Sequence, residues 1–433
     1  MKKIATLFIL MFITSFSTIY GQNFFDFKSN DMYIEGGLRY GINIPFVPRH
    51  AYIKDFPQYW LDLRLGKQTD GTKEWEEWFN YPAYGFLFRY EHNTLDSAKH
   101  EYRNATNDII TEWVPIGDCF TLAGFINGHI YKGRKWSFDY DIMGGLSFWP
   151  KFGNEFIGSF MNVHLSIDAG PTVQVSKNLD VLGRFIFSHS SNGALVLPNH
   201  GVNVYSYQLG CRYHLNDRAE YINRDSILWH KKTALYISDA PGMLQTDTEL
   251  NGQMSGEGKY YFCNTFQVGI TRQFHPKFRY DVGFDIMYTD ESKIKYLKAA
   301  EKYEAGELNT SLQTYKPLNS LHIAASAMFE ILYNRFAFCI GGGYYLYHGI
   351  YNGTTEKKTW DFSDELSNFE EQYLPTSYQN YYERLGFKYY FGNNSRHYVG
   401  AFMKVHKDSI DYIEWTYGIQ LVQWTGKNTH YKR

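Results

Sequence analysis

Apolar and polar side chains alternate with a period of two along several stretches of the chain. Trp136, Phe138, Tyr140 and Ile142 interleave with Lys135, Ser137, Asp139 and Asp141, and Phe278, Tyr280, Val282, Phe284, Ile286 and Tyr288 interleave with Arg279, Asp281, Gly283, Asp285 and Met287. Successive side chains of a strand point to opposite faces, so each stretch predicts a β-strand with one strongly apolar face. A soluble sandwich would give the same alternation. The aromatic load of the apolar faces turns the reading towards a membrane barrel with aromatic girdles at its two interfaces.

The connections agree with this. Tight ones such as Lys132-Gly133-Arg134, Ser176-Lys177-Asn178 and Asn334-Arg335 interleave with long polar ones, Asp290 to Asn319 and His348 to Gln379. Short turns at one end and long loops at the other are the outer-membrane pattern. Roughly sixteen candidate strands result, about eight before Asn216 and about eight after Lys231. The expected fold class is therefore all-β, an antiparallel transmembrane β-barrel. A single barrel of about 14 to 16 strands is preferred, with two tandem barrels of about eight strands each as the alternative. A weak internal repeat supports the symmetry: Gly183 precedes His189 by the spacing that separates Gly400 from His406, and each segment leads to a final strand holding Gly210 or Gly418. The expected organisation is a signal peptide over 1–21, a first half over 22–215, a linker or loop over 216–231 and a second half over 232–433.

The leader rests on Lys2 and Lys3, the apolar run Ile4 to Phe16 and the small residue Gly21, a cleavable export signal too short to span a bilayer as a helix. The 433 residues are 19% aromatic yet have a mean hydropathy of −0.43, as expected when a barrel hides its lipid face by alternation. A formal net charge of −2 gives no reason to expect nucleic acid. The cysteines, Cys119, Cys211, Cys263 and Cys339, have neither metal-ligand spacing nor a disulfide framework and read as strand residues. No glycine-rich phosphate loop, zinc spacing or calcium loop appears, so no metal and no cofactor are expected. Lys, Ala and Glu dominate Tyr296 to Leu308, which suggests a helix within a solvated loop.

The densest candidate chemistry lies in Phe187-Ser188-His189-Ser190-Ser191-Asn192-Gly193 and the following Pro198-Asn199-His200-Gly201-Val202-Asn203. On the strand from Val181, the residues Val181, Phe185 and Phe187 share a face with His189 and Ser191, while Ser188 and Ser190 face the other way. Residues at i and i+2 of a strand lie roughly 6 to 7 Å apart at Cα, within reach of a ring-to-hydroxyl hydrogen bond. A serine hydroxyl needs such a base to become nucleophilic, and the base needs a third group to hold its tautomer. Asn203, of matching parity on the next strand, can orient the ring but carries no charge. A chance His-x-Ser at a strand end is the bland reading of the same residues. His406 has Asp408 rather than a serine two residues on and reads as structural or lumenal.

These residues resemble the lipid A 3-O-deacylases, or acyloxyacyl hydrolases, of the outer membrane. The resemblance rests on His189-x-Ser191-Asn192, the spacing to Pro198-Asn199-x-Gly201 and a strand entering from Gly183-Arg184. Trp60-x-Asp62-x-Arg64-x-Gly66, Tyr81-Pro82-x-x-Gly85, Asn154-x-x-Ile157-Gly158-Ser159, Leu385-Gly386-x-Lys388-Tyr389-Tyr390 and Ile413-Glu414-Trp415 are similar to segments of the longer members. The likeness implies a carboxylic ester hydrolase that removes an acyl chain from lipid A of lipopolysaccharide, on the outer surface of a barrel in the cell outer membrane. It implies Ser191 as nucleophile, His189 as general base, and Asn192 and Asn199 as support for the substrate or the oxyanion. Short members carry a glutamate where Asn203 stands. Asp411 or Glu414 from the last strand could substitute if closure brought either near His189. The competing reading is a non-catalytic barrel, a channel or a binding protein.

Overall fold

The computed structural model describes residues 31–45, 48–103, 109–193, 195–196, 199–218, 220–224, 227–245, 260–290, 316–349, 380–406 and 409–431. The expected leader and the expected loop helix at 296–308 lie outside them.

Among the described residues, eighteen strands form two closed antiparallel barrels and one separate hairpin. The first barrel comprises β1 (Met32–Asn43), β2 (Pro57–Gln68), β3 (Ala83–Asn93), β6 (Cys119–Lys132), β7 (Trp136–Phe148), β8 (Met161–Gln174), β9 (Leu179–Ser191) and β10 (Val202–His214). Its connection from β3 to β6 carries the hairpin of β4 (Ser97–Arg103) and β5 (Ile109–Pro115). The second barrel runs in simple up-and-down order: β11 (Ile227–Gln245), β12 (Tyr260–His275), β13 (Phe278–Thr289), β14 (Leu321–Tyr333), β15 (Phe336–His348), β16 (Tyr381–Phe391), β17 (His397–His406) and β18 (Ser409–Tyr431).

This corrects the preference for a single large barrel. β1 pairs with β10 from Tyr33↔His214 to Asn43↔Val204, and β11 pairs with β18, so each half satisfies its own edges. Closure removes the exposed strand edges that would otherwise have to be shared between the halves. Gly183 and Gly400 fall on the seventh strand of their respective barrels, and Gly210 and Gly418 on the eighth. The side chains of His406 and Asp408 lie outside the described residues.

Burial follows the predicted parity. On β10, Tyr205, Tyr207 and Leu209 are exposed on the outer face while Ser206 and Gln208 are fully buried in the lumen; on β13, Tyr280, Val282, Phe284, Ile286 and Tyr288 face outwards. All four cysteines lie on strands. No described helix is long and apolar enough to cross a membrane.

A barrel of about eight strands has an interior just wide enough for side chains to fill. In the first barrel the filling is ionic. Arg39 bonds Asp62 at 2.6 Å, Arg64 bonds Asp141 and Asp168 at 3.1 Å each, Arg184 lies 3.1 Å from Asp141, and Arg212 meets Glu35 at 2.7 Å. In the second, Lys388 bridges Asp281 and Glu330 at 2.7 and 2.6 Å. Each charge is desolvated, and pairing offsets that cost.

Most tight turns gather at one end of each barrel and most longer loops at the other, the exceptions being the 69–82 connection at the turn end of the first barrel and the 407–408 connection at the loop end of the second. At the turn end the barrels touch: Phe79 stacks on Tyr333 with centroids 4.0 Å apart, and the Tyr140 and Tyr333 hydroxyls are 3.1 Å apart. At the loop end, the connections of the first barrel fold over into a small apolar roof of Ile53, Leu95, Ile116, Trp149, Phe156, Ile157 and Val202. Val202, from the region singled out in the sequence, is part of that roof.

Candidate active site

The alternation of β9 carries His189 and Ser191 to the outer face, at the strand's loop end, immediately above Phe185 and Phe187. The register places Asn203 of β10 directly opposite His189. Cross-strand pairing thus assembles three residues that the chain spreads over a strand end and the start of the next strand.

The geometry is a hydrogen-bonded chain. His189 Nε2 lies 2.8 Å from Ser191 Oγ, and His189 Nδ1 lies 2.7 Å from Asn203 Oδ1. The amide oxygen of Asn203 can only accept, so Nδ1 carries the ring proton and Nε2 is left to accept from the serine hydroxyl. This is the tautomer a general base requires. Asn203 is buried, and its Nδ2 has no hydrogen-bond partner among the described residues. Its neighbouring backbone is held by the Ile44 amide, which donates to the Asn203 carbonyl at 2.8 Å.

Ser190 provides an internal comparison. It faces the lumen, where its Oγ lies 2.8 Å from His164 Nδ1. His164 Nε2, however, lies 3.0 Å from Arg89 Nη1, which can only donate. His164 Nδ1 must therefore carry the proton and donate to Ser190, and the ring cannot act as its base. Of the two adjacent serines, Ser191 alone has an accepting imidazole nitrogen. Sequence reasoning missed His164 entirely, because nothing local links it to Ser190; the two meet only through the β8–β9 register.

Asn192 and Asn199 shape the loop. Asn199 Oδ1 accepts from the Asn192 amide at 3.2 Å, and the Asn192 side chain donates to the Val196 carbonyl at 2.8 Å while accepting from the Val196 amide at 3.3 Å. Gly201 closes the loop onto His189 and Ser191 with φ +73°; a Cβ there would lie 2.7 Å from His189 Cε1 and 3.1 Å from Ser191 Cβ. Gly201→Ala is therefore expected to displace the imidazole and lower kcat at least about 100-fold, the usual cost of a 1 Å misplacement. Retention of the heat-modifiable gel mobility of the folded barrel would show that the loss is local.

Of the acids considered as substitutes for the third member, Glu414 is buried inside the second barrel, 2.5 Å from both Thr265 Oγ1 and Arg384 Nη2, and does not serve His189. The side chain of Asp411 lies outside the described residues. The second barrel does reach the site: a Cβ on Gly193 (φ +63°) would come within 2.5 Å of Ile413 Cδ1 of β18, so the turn after Ser191 packs against it.

Residues 230–360, within that second barrel, match the model of the family described as acyloxyacyl hydrolase, C-terminal domain. The match spans less than a third of the 433 residues, and over that stretch the chain is similar to the family. No curated protein matches the chain. Several solved structures are similar to it at low identity. CdiB from Acinetobacter baumannii is 8% identical with a TM-score of 0.16, the alignment covering 91% of this chain and 60% of that one, so the chain spans less than two thirds of it. The ferric yersiniabactin uptake receptor FyuA from Yersinia pestis is 10% identical with a TM-score of 0.21, covering 93% and 80%. The Pseudomonas putida toluene transporter TodX is 8% identical with a TM-score of 0.16, covering 92% and 89%. At such scores the likeness carries no functional information.

Proposed function

We propose that the protein is an outer-membrane serine esterase that removes an acyl chain from lipid A. The observation that carries this reading is the chain Ser191 Oγ–His189 Nε2 and His189 Nδ1–Asn203 Oδ1, at 2.8 and 2.7 Å, on the outward face of β9 and β10. An acyl ester held in the outer leaflet would lie against that face, at whose loop end Ser191 is itself buried. Its chain would lie along the aromatic surface beneath the site, where Phe185 stacks on Tyr205 at 5.6 Å and Phe187 meets Tyr205 at 5.4 Å.

In this mechanism Ser191 Oγ attacks the ester carbonyl as its proton passes to His189 Nε2. The oxyanion is stabilised by donors of the 192–199 loop, with the Asn199 side-chain amide the first candidate. Collapse expels the sugar alcohol, which takes the proton back from the imidazolium. Water, deprotonated by the same ring, then releases the fatty acid and restores Ser191. A channel is the weaker reading, because buried ion pairs fill the first lumen.

The test is mass spectrometry of lipid A incubated with the purified protein, followed by peptide mapping after treatment with a serine-reactive fluorophosphonate. Loss of one acyl chain and an adduct on Ser191 are expected. Intact lipid A together with an unlabelled Ser191 would leave a non-catalytic barrel.

A further inference from the structure

Beside the esterase site the roof holds a second constellation that the proposed reaction does not use. His50 stands in the short 3-10 turn Pro48–Asp55 between β1 and β2, Glu155 in the β7–β8 loop and His200 in the β9–β10 loop. One ligating atom from each lies within 4.8 Å of the other two. His50 Nε2 and Glu155 Oε2 are in direct contact, and the rings of His50 and His200 are 4.9 Å apart. His50 and Glu155 are 2% exposed, while His200 is half-buried.

Their surroundings keep them in place. The amides of His200 and Gly201 donate to the carbonyls of Glu155 and Phe156 at 2.9 Å each, and His50 packs against the Phe156 ring at 4.7 Å. Asn154 Oδ1 accepts from the Phe156 and Ile157 amides at 3.0 and 2.9 Å, which fixes the turn that presents Glu155.

We propose that His50, Glu155 and His200 form a binding site for a divalent transition metal of the Zn²⁺ class, which ties the three loops of the roof together. Two imidazoles and a carboxylate are a three-ligand zinc set, with the fourth position left for water. Calcium and magnesium favour all-oxygen shells and fit this donor set poorly. Zinc–ligand distances of about 2.0–2.2 Å place neighbouring tetrahedral ligands about 3.4 Å apart, so side-chain rotation alone brings the three donors into place. The metal would replace the proton shared between His50 and Glu155, and binding would release it. Because His200 adjoins Gly201, occupancy of the site also fixes the backbone that packs on His189. The metal site itself stands whether or not Ser191 is a nucleophile.

The experiment uses untagged, chelator-stripped protein folded in detergent, titrated with ZnCl₂ in a calorimeter, with X-ray absorption of the loaded sample. A single equivalent bound, an all-N/O first shell with imidazole scattering, and an upward shift of the melting temperature are expected. His50→Ala, Glu155→Gln and His200→Gln should each weaken binding beyond the about 10- to 100-fold typical of losing an outer-shell partner. His200→Gln changes the least buried of the three, and heat-modifiable mobility verifies that each variant is folded. Absence of stoichiometric zinc binding by the unmodified protein, or an affinity in all three folded variants unchanged from that of the unmodified protein, overturns the proposal and leaves a buried His–Glu hydrogen bond.

Discussion

Ser191→Ala is expected to lower kcat for lipid A deacylation about 10⁴-fold. In a full Ser-His-Asp triad the loss on removing serine is about 10⁶, and removal of the acid alone accounts for roughly 10⁴ of that. A site without the acid therefore has less catalysis to lose. If Asn203 contributed nothing, the serine would be worth only about 10². Asn203 does more than that, because its Oδ1 at 2.7 Å from His189 Nδ1 keeps the proton on Nδ1. An amide turned the other way would donate to Nδ1 and force the proton onto Nε2, where it would block acceptance from Ser191; that tautomer error underlies the cost of the acid-to-amide change in serine proteases. The expected loss thus lies between the two limits. His189→Ala should match Ser191→Ala in size, since the pair acts as a unit. A fall below tenfold for Ser191→Ala, measured by single-turnover release of fatty acid, would remove the serine from the mechanism.

The sequence made this site legible for a particular reason. A strand's two-residue period is rigid, so parity alone put His189, Ser191 and Asn203 on the outer face and Ser190 on the inner one, and the register Asn203↔His189 then brought the three residues together. Barrel closure was not legible, because it depends on β1 meeting β10 and β11 meeting β18, pairings between strands remote in sequence. The equal halves and the charged stretch after Asn216 hinted at it. In the structure that stretch is pinned at the turn end of the first barrel: Tyr81 donates to the Ile222 carbonyl at 2.9 Å, and Arg224 pairs with Glu77. His50, Glu155 and His200 were invisible for the same reason as closure. They come from three separate loops, and no spacing rule joins residues that meet only when the roof folds.

Asn203→Asp is expected to raise kcat about 100-fold at pH 8, which recovers much of the difference between the charge-free site and a complete triad. A carboxylate oxygen in place of Oδ1 would keep the Nδ1 proton where it is and add the charge that stabilises the imidazolium formed as Ser191 attacks. The cost is a desolvated carboxylate at a buried position, offset by the charge it meets in the transition state. The pH profile separates this from a merely structural effect. A neighbouring carboxylate favours the protonated ring, so the acid limb of kcat/KM, where His189 must be neutral to act as base, should move to higher pH in the variant even as the plateau rises. Asn203→Leu removes both acceptor and charge and should fall well below the natural protein. Should Asn203→Asp fold normally yet lose activity with no shift in the acid limb, the amide would be required for something a carboxylate cannot do. The unpartnered Nδ2 would then be the group to follow, as a donor to the substrate rather than a witness to a missing acid.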